Sequence, residues 1–408
     1  MMLEYFKELE SGLEAKLQEA GLQTRARKKM ALEIARLGIR LYSGESQVAW
    51  CGVAAPFDLL NAMGVTSCFV EFVGAMLAST GNVAPMLELA EQAGYATDIC
   101  SYHRAINGAA VQGLMPEPDF LIATTCPCSS GMATVENMAR HFKKDLFVLD
   151  IPSREDQESV RYLAAQLHSL VEFVTAHTGR PLDPAQLSTT MERANRAREI
   201  LVEVYQLAQS VPTPARRRDL VNFSFIMMLL AGTQAAIETA EVYRDEFKQK
   251  VASGTAGVEG EKLRLLWIQN RIQFKNPLEK WIEEEFGAAV VVDELNDVTW
   301  DPIDPQDPYP GLAARVLSFP LNGPIERRIE HLQRQTRDYK VDGVLAPCHW
   351  GCRQGTGARG LMSDGLKQIG VPFLALEVDC IDPRQFSEGQ LRTRLQAFIE
   401  MLLEKKAG

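Results

Sequence analysis

The stretch from Phe120 to Pro152, FLIATTCPCSSGMATVENMARHFKKDLFVLDIP, decides the fold class of this chain. Its first residues form an apolar run that predicts a buried strand at Phe120–Thr125. A second apolar run predicts another strand at Leu146–Ile151, which ends at Pro152. Short apolar strands that alternate with helices indicate an α/β protein with a mainly parallel sheet.

The same alternation continues on both sides of this stretch. Residues 3–42 have the apolar spacing of a helix. The sequence then predicts a strand at Val48–Val53 and helices at Phe57–Met63 and Pro85–Ala93, each closed by a glycine. Further strands are predicted at Leu263–Trp267, Ala288–Val292, Val341–Ala346 and Val371–Val378, and helices at Pro277–Glu285, 324–339, Ala358–Ile369 and Glu388–Leu403. The four prolines within residues 297–311 predict a loop there.

Between these two α/β segments, residues 155–262 predict almost only helix, because apolar residues recur there with the period of a helix. We therefore divide the chain into three regions. Residues 1–154 hold the N-terminal helix and a first α/β lobe, residues 155–262 a helical region, and residues 263–408 a second α/β lobe with the C-terminal helix.

Composition excludes several classes of protein. The 408 residues suffice for two or three domains, and 43 basic against 53 acidic residues give a formal net charge of -10. This balance argues against a nucleic-acid binder, although it permits a small basic pocket for an anionic ligand. The N-terminus lacks the apolar core of a signal peptide, and the most apolar stretch, 223–237, is too short to span a bilayer. We expect a cytoplasmic protein without membrane contact.

The eight cysteines are the most informative residues for function. In a reducing cytoplasm they are not expected to form disulfides. Cys100, Cys126 and Cys352 fall at or beyond predicted strand ends, which is where parallel sheets bind ligands. Thiolates gathered there suggest iron–sulfur or zinc, whereas the lack of a compact C-x-x-C pair disfavours a zinc ribbon or a ferredoxin-type cluster. For any single cysteine, plain packing in the core is the alternative.

Two further features adjoin these cysteines. His103 and His349 sit beside Cys100 and Cys352, which makes them functional candidates, and His349 is the one we retain as a catalytic candidate. The stretch 355–360 matches G-x-G-x-x-G and precedes a predicted helix, as in a nicotinamide-binding fingerprint. Because the expected strand does not precede it directly, we favour a plain glycine-rich turn that opens a helix and keep nicotinamide binding as the alternative.

Several short motifs occur in a fixed order over most of the chain. They are Pro56–Gly64, Cys100–Arg104 followed by Gly108, the strand that ends at Cys126, Leu149–Pro152, Val344 with Cys352 eight residues later, Gly370–Pro372, Glu377–Asp379 and Thr393–Arg394. In this ordered set the sequence resembles the 2-hydroxyacyl-CoA dehydratase family, which includes the benzoyl-CoA reductase subunits. It is most similar to the D-component type of iron–sulfur subunit.

The resemblance implies a fold of two flavodoxin- or Rossmann-like parallel-sheet lobes with a helical insertion between them. It implies that Cys100, Cys126 and Cys352 bind one [4Fe-4S] cluster, with one iron left open for substrate. It further implies a related second subunit and an ATP-hydrolysing activator that delivers one electron. The reaction implied is loss of water from an (R)-2-hydroxyacyl-CoA through a ketyl radical, which overcomes the low acidity of the β-proton.

The chain departs from the simplest form of the family in two ways. Asp58 stands where many members have Glu, and it is our candidate for the catalytic acid–base together with His349. Cys128 and Cys348 are additional cysteines that could complete the cluster as further ligands, or simply pack beside it. They could also serve a double-cubane [8Fe-9S] cluster, which needs about six cysteines and would draw on Cys51, Cys68 or Cys380.

The leading hypothesis is therefore an enzyme, an iron–sulfur subunit of a 2-hydroxyacyl-CoA dehydratase-like lyase that works in a heterodimer or homodimer. The alternatives are a double-cubane reductase of small molecules activated by ATP, and a benzoyl-CoA reductase-like subunit. A nicotinamide-dependent oxidoreductase and a non-catalytic cluster-binding scaffold also stay open.

Overall fold

Two parallel four-stranded sheets organise the protein in the computed structural model, which describes residues 2–19 and 21–408. The strands are β1 (Val48–Cys51), β2 (Thr66–Phe69), β3 (Phe120–Thr124), β4 (Leu146–Leu149), β5 (Leu263–Trp267), β6 (Ala288–Asp293), β7 (Gly343–His349) and β8 (Phe373–Val378). The helices are α1 (Met2–Gln18), α2 (Leu22–Tyr42), α3 (Phe57–Ala62), α4 (Glu71–Ser79), α5 (Val83–Gln92), α6 (Ser101–Val111), α7 (Ser129–Phe142), α8 (Gln157–Thr178), α9 (Pro184–Ala208), α10 (Arg217–Leu229), α11 (Gln234–Ser253), α12 (Pro308–Leu317), α13 (Ile325–Asp338), α14 (Arg353–Gly357), α15 (Arg359–Lys367) and α16 (Glu388–Ala407). A π-helical turn covers Lys280–Glu285 and a 3₁₀ turn Pro383–Gln385.

The two sheets have the same topology. The first has the order β2-β1-β3-β4 and the second β6-β5-β7-β8, and all neighbouring strands are parallel. In each sheet the strand order reverses between the two central strands, which creates a crevice at their carboxyl ends. The prediction of two parallel-sheet lobes is confirmed.

Burial explains why these segments form strands covered on both faces. Every residue of β3, β5 and β6 is buried. Continuous apolar runs of this kind suit strands that helices cover on both faces, whereas one-sided sheets require alternating polar residues. Of the four edge strands, β4 and β8 are only partly buried, whereas β2 and β6 are fully buried.

The helices of residues 155–262 are divided between two hydrophobic cores. Buried residues of α8 belong to the core of the first lobe, whereas most buried residues of α9, α10 and α11 belong to the core of the second lobe. Helix α12, which follows the second lobe's strand β6, packs onto α8. This exchange of helices ties the lobes together, and the region boundaries at 154 and 262 stay predictions.

The structure corrects some predicted elements. The predicted loop 297–311 is wrong at its end, because α12 begins at Pro308, a residue that suits the first turn of a helix. Strand β7 runs three residues beyond its predicted end and includes Cys348 and His349. The structure also contains elements that were not predicted from the sequence, namely β2, α4, α6, α7 and α14. Among the described residues, no helix is both long and apolar enough to cross a bilayer.

Candidate functional site

Three of the predicted cysteines occupy helix N-termini. Cys100 is the N-cap of α6, Cys128 that of α7, and Cys352 that of α14. The Sγ atom of Cys128 accepts a hydrogen bond from the backbone N–H of Gly131 at 3.3 Å, and Cys352 Sγ accepts one from Gly355 at the same distance. Unpaired N–H groups and the helix dipole favour a negative charge at such positions, which suits cysteines that bind a metal.

The two lobes meet at Cys100. Gly351, with φ +77°, lies so close to the chain at Ile99 and Cys100 that a Cβ atom there would come within 2.5 Å of the Cys100 nitrogen. On the same side, Nε2 of His349 lies 3.3 Å from Cys100 Sγ. The Ser101 hydroxyl donates to Asp379 at 2.6 Å. The loop of Cys100 is thus fixed against the ends of β7 and β8.

The surroundings of Cys100 favour its thiolate. Burial alone raises the pKa of this thiol, whereas the charge of His103 and the hydrogen bonds from His103 and His349 bring the pKa below its ordinary value. Burial lowers the pKa of His103, yet Cys100 and Glu71 raise it well above its ordinary value. The ring of His103 also lies 2.8 Å from the Ser130 hydroxyl through Nδ1. Both histidines therefore stabilise the Cys100 thiolate relative to its thiol.

Cys126 and Cys128 follow the carboxyl end of β3. Burial raises the pKa of the Cys126 thiol to about 12, with a further increase from Cys128, and Arg327 lowers it only in part. Burial also raises the pKa of Cys128, against the opposing effects of His103 and of the N–H group at the start of α7. Burial therefore disfavours both thiolates, and a soft metal that binds them would have to displace the thiol protons.

Cys352 is supported by a polar chain that sequence reasoning missed. The Gln269 amide lies 3.8 Å from its Sγ, and Gln269 itself has φ +53°, which is unusual outside glycine. Arg328 donates to Gln269 Oε1 at 3.0 Å and binds Glu294 through both carboxylate oxygens, at 2.5 and 2.9 Å. The positive φ of Gln269 is invisible in the sequence, and no motif marked this residue.

Cys348 lies on the opposite side of β7 from His349, since successive side chains of a strand alternate between its faces. Its Sγ is 3.3 Å from Arg359, which forms an ion pair with Glu377. Burial raises the pKa of Cys348, although Arg359 partly lowers it. The structure does not bring Cys348 to the thiols at the helix N-termini. Cys51 and Cys68 are buried within β1 and β2.

Asp58 is fully buried at the start of α3 and faces an arginine. Both of its carboxylate oxygens accept from Arg315, at 2.5 and 2.8 Å, and Oδ1 also accepts from the Leu59 N–H at 3.0 Å. A bidentate pair of this kind holds the carboxylate in one orientation. The catalytic role of Asp58 stays a prediction.

A cavity of about 150 Å³ lies between the lobes beside Arg315. Its walls are mainly apolar and come from both lobes, namely Ala55, Phe57, Met227, Met228, Leu295 and Phe319. Trp300 also lines it, with its ring 6.0 Å from the Arg315 guanidinium. We call this space the interlobe cavity.

The interlobe cavity adjoins a second, polar space of about 520 Å³, because Thr299 and Pro320 line both. Three arginines of α13 line this second space, Arg327, Arg334 and Arg337, and we call it the arginine cleft. The charge of Arg327 also lowers the pKa of the Cys126 thiol, so this end of the cleft lies on the side of Cys126.

The donor set fits a soft metal cofactor rather than a hard ion. Cys100, Cys126, Cys128 and Cys352 offer sulfur, which iron–sulfur clusters prefer. Among the described residues, no group of three or more His, Cys, Asp or Glu side chains could hold one metal ion. A cubane bonds each thiolate to a different iron, so its ligands need not converge on one point.

The glycine-rich stretch 355–360 does not have the geometry of a dinucleotide fingerprint. Its first glycine lies inside α14 and donates its N–H to Cys352 Sγ, instead of following a strand. The N–H group of Gly355 therefore stabilises the Cys352 sulfur and is not placed to bind a dinucleotide.

Two lobes with facing switch points and thiols between them define a two-lobe α/β protein with a cysteine-lined interlobe site. The chain belongs to the 2-hydroxyglutaryl-CoA dehydratase, D-component family, whose family model matches residues 53–402. It is 25% identical over 375 residues to the (R)-phenyllactyl-CoA dehydratase alpha subunit of Clostridium sporogenes, covering 88% of this chain and 90% of that one.

Two other relatives extend the range of activities. One of the benzoyl-CoA reductase subunits of Thauera aromatica is 26% identical over 379 residues, which are 86% of either chain. The lactoyl-CoA dehydratase alpha subunit of Anaerotignum propionicum is 24% identical over 386 residues, 87% of this chain and 90% of the relative. The family resemblance inferred from the ordered motifs is confirmed.

Proposed function

We propose that this chain is the iron–sulfur subunit of an enzyme that removes water from an (R)-2-hydroxyacyl-CoA thioester. The observation that carries the proposal is the meeting of Cys100 and Cys128 of the first lobe with the Cys352 loop of the second. An apolar cavity between the lobes, which shares lining residues with an arginine-lined cleft, adds room for a substrate. Membership of the dehydratase family supports the same reaction.

The proposed ligands of a [4Fe-4S] cluster are Cys100, Cys126 and Cys352. Cys128 is the candidate for a fourth ligand, because it caps α7 and shares His103 as a neighbour with Cys100. When bound, the cluster would supply a Lewis-acidic iron and one electron for the thioester carbonyl, which is the chemistry a ketyl-radical dehydration requires.

The interlobe cavity is the proposed site of the acyl side chain. A cavity of about 150 Å³ with apolar walls can hold a group the size of a benzene ring. The walls from both lobes would exclude water and orient the thioester. This size favours compact side chains, such as a branched aliphatic or a phenyl group.

The positive charge of Arg315 in the wall of the interlobe cavity is balanced by the carboxylate of Asp58. Because the arginine already binds a buried carboxylate through two hydrogen bonds, it offers no uncompensated charge to a substrate carboxylate. We therefore expect an uncharged acyl side chain in place of a 2-hydroxyglutaryl group.

The arginine cleft is the proposed site of the anionic CoA moiety. Arg327 pairs with Glu155 and Arg334 with Asp297, whereas Arg337 has no carboxylate partner among the described residues and is exposed. Arg337 would thus be available for a phosphate group. A thioester that spans the shared boundary at Thr299 would place its apolar and anionic ends in matching environments.

The proposal includes partners and a location. The relatives are named as subunits of enzymes, which supports a related second subunit or a homodimer for this chain. An ATP-hydrolysing activator would deliver the electron, and the assembly would work in the cytoplasm of an anaerobic cell.

A benzoyl-CoA reductase-like subunit is the second candidate, favoured by the similarity to such a subunit and by the room for a phenyl group. The double-cubane reductase alternative needs further cysteine ligands, and the placement of Cys348 beside Arg359 argues against its use as one.

The test is turnover by the anaerobically purified protein with its partner subunit and activator. Each reaction offers one CoA thioester: (R)-phenyllactyl-CoA, (R)-2-hydroxyisocaproyl-CoA, (R)-2-hydroxyglutaryl-CoA or benzoyl-CoA. We expect dehydration of the two uncharged hydroxyacyl substrates and little of the glutaryl one. Reduction of benzoyl-CoA without any dehydration would replace the proposal with the second candidate.

A further inference from the structure

The imidazole of His349 is fully buried between the lobes at the end of β7. Its Nε2 lies 3.3 Å from Cys100 Sγ, and its Nδ1 lies 2.9 Å from the backbone nitrogen of Cys380. The ring of Tyr102 packs edge-on against it, with the centroids 5.4 Å apart. Each ring nitrogen therefore has its own fixed neighbour.

The backbone of Cys380 determines which nitrogen of the ring carries hydrogen. A backbone N–H can only donate, so Nδ1 of His349 must accept with its lone pair. The hydrogen of the imidazole then resides on Nε2, from which it points to Cys100 Sγ.

The nearby carboxylate does not change this assignment. Asp379 Oδ1 is 3.6 Å from Nδ1 of His349, beyond hydrogen-bonding distance. That oxygen already accepts from the Ser101 hydroxyl and from two backbone N–H groups. Asp379 therefore fixes the backbone around the ring.

We propose that His349 is a positioning residue, a fixed Nε2–H donor through which the second lobe holds the Cys100 thiolate of the first. A buried ring with both nitrogens engaged has none free to exchange a proton with a substrate. This role therefore differs from the acid–base role predicted from the sequence. The inference rests on the proposed function only in taking Cys100 as a cluster ligand, since the hydrogen bond is present in the chain alone.

The first experiment identifies the tautomer in the metal-free, reduced, full-length chain. The protein is labelled with ¹⁵N in its six histidines, and ring nitrogens and their protons are recorded by NMR. The His349 signals are assigned as those lost in His349→Gln. We expect a neutral ring with hydrogen on Nε2 alone. A hydrogen on Nδ1, in either the neutral or the doubly protonated ring, would overturn the proposal.

The second experiment measures the reduction potential of the bound cluster in the assembled protein. Hydrogen bonds to ligand sulfur stabilise the more negative, reduced state, so His349→Leu should shift the potential to lower values. The amide of His349→Gln can donate from a similar position and should restore most of the shift. His177→Leu, which removes a histidine bonded to the Phe173 carbonyl and to Asp145, is the matched control and should leave the potential unchanged.

The two experiments separate this inference from the proposed function. An equal shift in the Leu and Gln variants, or no shift in either, would show that the donor has no effect on the thiolate. If the parent chain binds no cluster, the proposed function fails, and the NMR experiment still decides the hydrogen bond.

Discussion

The two lobes share one strand order but contribute different chemistry to the site between them. The first lobe carries Cys100, Cys126 and Cys128, whereas the second carries Cys352 and the side chains of His349 and Gln269 that contact the sulfur atoms. The first lobe thus contributes mainly thiols to the site, and the second lobe contributes mainly hydrogen-bonding side chains. The loops at the switch points, and not the sheets, determine what each lobe does.

The largest expected effect follows from removal of the second lobe's thiol, Cys352. Cys352→Ala removes the proposed cluster ligand of that lobe, and we expect loss of most of the iron of the anaerobically purified protein. Cys348→Ala is the matched control four residues away, and it should keep the parent iron content because Cys348 faces Arg359. Iron and acid-labile sulfide analysis measures both. Equal losses in the two variants would contradict the assignment of ligands.

The next largest effect concerns stability in the first lobe. Asp58→Asn leaves the Arg315 guanidinium without its charged partner in a buried position, which should lower the free energy of unfolding by about 3–5 kcal/mol. Glu136→Gln breaks the exposed pair with Arg140 and should cost less than about 0.5 kcal/mol. Urea unfolding followed by circular dichroism compares them, and similar midpoints for both variants would refute the importance of the buried pair.

The contact between the lobes is tested at two nearby glycines, Gly351 before α14 and Gly357 at its end. Gly351→Ala would force a Cβ against the Cys100 backbone at φ +77°, at a cost of about 1–3 kcal/mol in the free energy of unfolding. Gly357→Ala meets no atom within 4 Å and should be neutral or slightly stabilising. Thermal unfolding of the two variants measures the difference. A neutral Gly351→Ala would mean that the lobes do not touch there.

A smaller effect is expected on specificity at the interlobe cavity. Trp300→Ala enlarges this space, so the ratio of kcat/KM for a bulky over a small acyl group should rise by about tenfold. Tyr162→Ala, which removes a half-exposed aromatic ring on α8, should leave the ratio unchanged. Steady-state kinetics with two acyl-CoA substrates checks this. An unchanged ratio for Trp300→Ala would exclude the cavity as the acyl site.

Much of the fold could be predicted because its central strands are continuously apolar. The predicted bounds of β5 agree with the structure, and those of β3 differ by one residue. Strand β2 was missed because its four residues, TSCF, begin with two polar ones that have no apolar run to mark them. Helices α6 and α7 begin at Ser101 and Ser129, and cysteines in place of the usual polar caps precede both.

The site was predictable only as far as single residues carry a signal. Strand ends and motif order marked Cys100, Cys126 and Cys352. The partner of Asp58 could not be inferred, since Arg315 lies 257 positions away and meets it only through packing of α12. Gln269 was missed for the same reason, because its link to Cys352 depends on tertiary structure alone.

The most direct test of the account is the content of iron and acid-labile sulfide per chain after purification without oxygen. We predict about four of each, as one cubane held by thiolates from both lobes requires. About eight iron per chain would contradict the single cluster and point to the double-cubane alternative. Absence of iron after anaerobic reconstitution would contradict the central claim, and the cysteines would then serve only to pack the interface between the lobes.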